Sequence, residues 1–109
     1  MKIIPYGYHH IDKDDIKEVG KALKSKLITS GPYVQKLEKK FKNFFRVRYA
    51  ISCSSATSGL FLALKSLNLK KNQSIICPAI NFVSLNNVSL LLKIKTYLAD
   101  VDINTGQLS

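Results

Sequence analysis

Tyr49-Ala50-Ile51-Ser52-Cys53, followed by Ser54-Ser55-Ala56-Thr57-Ser58-Gly59-Leu60, is the stretch on which the fold turns. A short apolar run gives way to a cluster of Ser, Thr and Gly, after which Leu60, Phe61, Leu64 and Leu67 recur at helical spacing. The order predicts strand, loop, helix. Downstream the alternation continues: Ser74-Ile75-Ile76-Cys77 reads as a strand stopped by Pro78, Phe82 to Leu92 as a helix, and Thr96-Tyr97-Leu98-Ala99 as a third strand closed by Asp100. Strands alternating with helices of about 11 residues predict parallel β-α-β units with right-handed crossovers, and hence an α/β fold over 49–109.

Upstream, residues 1–48 read as a helical segment. Asp12 can cap a first helix, with Asp14, Asp15 and Glu18 near its positive end and Ile16, Val19 and Leu23 on one face; its end is expected near Ser25. Leu27 to Pro32 reads as a loop, with Gly31 giving turn freedom and Pro32 opening a second helix. Along that helix Val34, Leu37, Phe41 and Phe44 recur at steps of three and four, and its lysines read as a solvated face. Asp102 to Gly106 reads as a turn.

The chain has 109 residues, 17 Lys and Arg against 7 Asp and Glu, and a 46% hydrophobic share. That is too apolar for a disordered chain, so a core is expected. The Leu-rich stretch near Leu90 is interrupted by Asn86, Asn87, Ser89, Lys93 and Lys95, which argues against a membrane span, and the first seven residues do not read as a signal peptide. A cytoplasmic protein is expected. Cys53 and Cys77 lie far apart without ligand spacing and read as buried, reduced thiols; His9-His10 reads as a surface pair, so no metal site is expected. The lysines are scattered, with only two Arg and no interleaved aromatics, so nucleic-acid binding is not expected.

Chemistry is best placed at Ser54 to Gly59. The first N–H groups of a helix have no internal partner and sit at the positive end of its dipole, so with small side chains and hydroxyls around them they suit a phosphate. The plainer reading is that Ser54 or Thr57 caps the helix. The segment is neither a Walker loop nor a G-x-G-x-x-G turn. Pro78 to Ser84 should emerge at the same carboxyl edge of the sheet, where ligands bind in open α/β folds; Phe82 there is either core or a flat face for a planar ring.

Taken in order, Tyr6-Gly7 with Ile11-Asp12, Leu27 to Pro32, Tyr49-Ala50, Ser54 to Ser58, Pro78 to Ser84 and Asp100-Val101-Asp102 resemble the start of the DegT/DnrJ/EryC1/StrS family of pyridoxal-phosphate-dependent nucleotide-sugar aminotransferases, nearest its pseudaminic acid branch. The resemblance implies the N-terminal part of a fold type I transferase large domain, a homodimer, and transfer of an amino group from glutamate to the C4 keto group of a UDP-linked 4-keto-6-deoxy sugar. It carries Thr57 and Ser58 over to the cofactor phosphate and Phe82 to the pyridine ring. Tyr6, Lys26, Leu27, Ile28, Thr29 and Ala56 are carried over to the nucleotide sugar. Ala56 stands where many relatives have Gly, Asn81 where Thr is commoner, and Lys93 where Gly often ends the helix. None of the fifteen lysines matches the family's cofactor-bonding lysine, so the chain alone is expected to lack catalytic residues and to be inactive. The rival expectation is a phosphate- or nucleotide-binding α/β module without catalysis.

A parallel sheet is normally wider than three strands and covered on both faces, so the chain is expected to be truncated at Ser109, with an open strand edge and poor solubility.

Overall fold

The computed structural model of the protein describes residues 7–29 and 31–109, and these fall into two compact units, 1–51 and 52–109. Tyr6 and Ser30 lie outside the described residues.

The first unit carries helices α1 (Lys13–Leu23) and α2 (Pro32–Phe45). The Asp12 carboxylate accepts from the N–H groups of Asp14 and Asp15 at 2.8 and 3.0 Å, and the Asp15 carboxylate accepts from the Asp12 N–H at 3.1 Å. This reciprocal box satisfies donors that a helix start leaves unpaired. On the surface of α1, Lys21 donates to Glu18; that bond and its charge hold the Glu18 carboxyl below its usual range and the Lys21 ammonium above its own. Pro32 takes the first turn of α2, as its fixed φ and missing N–H predict.

Gly31 is required for a different reason from the one expected. Its φ is −81°, open to any residue, but a Cβ there would run into the Leu27 carbonyl oxygen. Close approach, not turn freedom, selects glycine. Helix α2 stops at Arg46, which sits in the left-handed region at φ 53°; the N–H groups of Arg46 and Val47 then close on the carbonyls of Asn43 and Lys42.

The second unit is built from α3 (Ala56–Ser66), β1 (Ser74–Pro78), α4 (Ser84–Leu91) and β2 (Lys95–Ala99). The two strands pair in parallel, Ser74 opposite Lys95 through Pro78 opposite Ala99, with α4 as the crossover. Pro78 closes β1 from inside the ladder, and the next residue, Ala79, donates its N–H to the Ala99 carbonyl at 2.8 Å. Helix α4 packs on α3 and on β2. The core is small: Leu64, Cys77 and Val88 are the buried apolar side chains among the described residues. Ser89 is wholly enclosed beside them, and its hydroxyl donates to the carbonyls of Leu85 and Asn86 at 2.7 and 3.0 Å, so its burial strands no donor.

Three expectations are corrected. Residues 49–53 form no strand: Tyr49 to Cys53 run as irregular backbone into the head of α3, and the ladder of this unit joins β1 to β2. The helix read from Phe82 begins at Ser84, since Val83 is its cap and Phe82 belongs to the connection. Cys77 is buried as expected, but Cys53 is exposed.

After β2 the chain turns at Asp102, whose carboxylate accepts from the N–H groups of Asn104 and Thr105 at 2.9 and 2.8 Å and is thereby held below the usual carboxylate range. Gly106, at φ 67°, completes this turn, and Val101 bridges Leu108 in antiparallel fashion. Among the described residues no helix is long and apolar enough to cross a membrane.

Candidate functional site

The head of α3 gathers three serine hydroxyls. Ser55 is the cap, in extended conformation, and its Oγ accepts from the Ser58 N–H at 3.1 Å. The capping role therefore belongs to neither Ser54 nor Thr57. Ser58 Oγ lies 3.0 Å from Ser55 Oγ and 3.2 Å from Ser54 Oγ. Hydroxyl protons rotate, so this trio can turn its donors towards an incoming anion. The N–H groups of Ala56 and Thr57 precede the first intrahelical bond, which Gly59 makes to the Ser55 carbonyl at 3.0 Å. No acidic side chain occupies that first turn. The α3 head therefore offers backbone donors, the positive end of a dipole and small side chains, a donor set that fits a phosphate.

The other end of α3 meets α4. A small cavity is lined by Leu64, Lys65, Asn68 and Leu69 from the close of α3 together with Leu92 and Ile94 from the close of α4. Helices α3 and α4 pack on each other, and this cavity brings their C-terminal ends together. The head of α4 is fed directly by the carboxyl end of β1 through residues 79–83, so it lies at the carboxyl edge of the sheet.

On the connection into α4, the Asn81 side chain accepts the Phe82 N–H at 2.7 Å, fixing the backbone, while the Phe82 ring is 72% exposed. It is not core. Ala56 and Thr57 are exposed and Ser58 is half-buried. In the first unit, Lys26 to Thr29 form an exposed segment between α1 and α2. The named positions thus divide between the units: Ala56, Thr57, Ser58 and Phe82 in the second, Lys26, Leu27, Ile28 and Thr29 in the first. Ser54 and Ser55 were not among the residues singled out for the cofactor. Spacing could not have singled out Ser55, since Ser54 stands three residues before Thr57 as Ser55 does before Ser58.

The model of the DegT/DnrJ/EryC1/StrS aminotransferase family matches residues 9–109. The spore coat polysaccharide biosynthesis protein SpsC of Bacillus subtilis is 34% identical over 102 residues, 94% of this chain and 26% of its own length. An uncharacterised protein of Methanocaldococcus jannaschii is 37% identical over 95 residues, 87% of this chain and 25% of its own. Among solved structures, the E. coli GDP-4-keto-6-deoxy-D-mannose-3-dehydratase with bound hydrated PLP superposes with a TM-score of 0.87 at 28% identity, covering 96% of this chain and 28% of that one. The chain spans about a quarter of the length of the curated relatives it matches. It belongs to the DegT/DnrJ/EryC1/StrS aminotransferase family.

Proposed function

We propose, from that family membership, that this chain supplies the phosphate seat and the ring-facing side chain of a pyridoxal-phosphate-dependent sugar aminotransferase. Residues 49–109 open its cofactor-binding domain and 1–48 lead into it. The reaction assigned is transfer of an amino group from glutamate to the C4 keto group of a UDP-linked 4-keto-6-deoxy sugar, as in pseudaminic acid and related surface-glycan synthesis. The enzyme is read as cytoplasmic and homodimeric. The observation that supports the reading is the head of α3, where free N–H groups and three serine hydroxyls gather with no acidic side chain in the first turn, together with an exposed Phe82 on the connection that leaves the carboxyl end of β1 in the same unit.

When bound, pyridoxal phosphate supplies the electron sink that lets an amino group change owners. The residues of this chain position it. The N–H groups of Ala56 and Thr57 and the hydroxyls of Thr57 and Ser58 donate to phosphate oxygens, and Ser54 and Ser55 hold the Ser58 hydroxyl in place. Ala56, exposed at the first position of α3, meets the sugar nucleotide. Phe82 shields one face of the pyridine ring from water. Tyr6 and Lys26 to Thr29 meet the nucleotide sugar. The lysine that bonds the cofactor and the acidic partner of its ring nitrogen match no residue here, so on this reading the chain by itself does not catalyse transamination.

The test extends the coding sequence beyond Ser109 and assays the product with glutamate and a UDP-4-keto-6-deoxy sugar. Replacing Thr57 and Ser58 with Val and Ala removes hydrogen bonds to a dianion, each worth about 1.5–3 kcal/mol, so cofactor affinity should fall at least about tenfold. Undiminished affinity in the double variant overturns the seat. Loss of a hydroxyl from the sugar in place of amination would assign the dehydratase chemistry of the E. coli neighbour to the same seat.

A further inference from the structure

The lysines of α2 read as a solvated face in the sequence, but the structure gives part of that face a second wall. Because Arg46 turns left-handed, the chain reverses after α2, and Arg48 and Tyr49 come to line one open groove with Gln35, Lys39, Lys42 and Asn43 of the helix. The groove measures about 390 Å³. Its polar lining holds two ammonium groups and a guanidinium that only donate, with two side-chain amides and a phenol that can donate as well. One carboxylate, Glu38, shares the lining with three cations, so the lining side chains carry two more positive charges than negative. The negative end of the helix dipole accounts for Lys42 in the last turn of α2, but not for Lys39 one turn earlier or for Arg48 beyond the helix. Lys39 and Lys42, three residues apart on one face, repel each other weakly, and an anion between them would relieve that repulsion.

We propose that this groove is an anion site for a diphosphate group, separate from the α3 head. Arg48 holds two phosphate oxygens through its planar fork, while Lys39 and Lys42 act as point charges on the second phosphate. The volume suits a diphosphate with part of an attached organic group.

The experiment footprints the lysines of the full chain by amine acetylation and mass spectrometry, with inorganic diphosphate in one arm and uridine diphosphate in the other, against sodium chloride at matched ionic strength. Saturable protection of Lys39 and Lys42, at least about threefold above the other thirteen lysines, is expected, and Arg48→Ala should weaken it at least about tenfold in concentration. Equal protection in both arms assigns the bare diphosphate; tighter protection by uridine diphosphate adds the attached group. Protection spread evenly over all lysines, or unchanged by Arg48→Ala, overturns the proposal. Because the α3 head contains no lysine, cofactor binding there leaves this readout untouched, and the two readings fail separately.

Discussion

The two units hold themselves together by different means. In the first, α1 and α2 are well-formed amphipathic helices with none of their residues buried; Leu37 and Phe41 are half exposed, and Ile16 and Leu23 more so. Their order comes from ends: a reciprocal Asp12–Asp15 box, Pro32 at a first turn, the Leu27–Gly31 close approach and the Arg46 stop. In the second, weaker amphipathic patterns nonetheless yield a core, because α4 is pinned between α3 and a strand. Caps can specify helices without stabilising a fold, whereas a few enclosed side chains can do both.

The sharpest challenge to that contrast is a matched pair of truncations. Leu64→Ala should cost about 2–5 kcal/mol in the second unit, while Leu37→Ala, already exposed to water, should cost well under about 1 kcal/mol; denaturant midpoints compare them. Equal losses would mean that α2 is as enclosed as α3. Next comes Gly31→Ala, expected to destabilise the first unit by about 1–3 kcal/mol because a backbone oxygen has to move, visible as lost helical ellipticity. In the opposite direction, Lys93→Gly should raise stability by up to about 1 kcal/mol, since Lys93 sits at φ 56° where α4 ends and glycine takes that conformation without penalty. Smallest is a pH effect. The Asp102 carboxyl is held below its usual value, so its contribution to the 102–107 turn is present above the ordinary carboxylate range and lost as the pH falls through the depressed value. The Asn104 and Thr105 amide signals should report this loss, and Asp102→Asn should remove the pH dependence.

What the sequence disclosed follows the range of the forces involved. Helices α1 and α2 were legible because Asp12, Pro32 and the three-and-four spacing of Val34, Leu37 and Phe41 act locally. The parallel pairing of β1 with β2 was legible from alternation with α4. The irregular backbone of residues 49–53 was not, since β propensity in a five-residue apolar run reflects fit to a pleated surface and does not fix the backbone by itself. Nor was the cap: three serines stand within five positions, and only backbone angles select Ser55. Phe82 was undecided between core and face because its exposure depends on where α4 starts, two residues later than periodicity placed it. The groove beside α2 was hidden altogether, for it depends on the reversal at Arg46 that brings Arg48 back along the helix.

The parallel register of Ser74–Pro78 with Lys95–Ala99 also sets an order of events during folding. Such a ladder cannot zip outward from a tight hairpin; its first rung must wait until the intervening segment has been synthesised and coiled. Chain closure over that distance is slow compared with helix growth, so the meeting of the two strands across an already coiled α4 should set the rate.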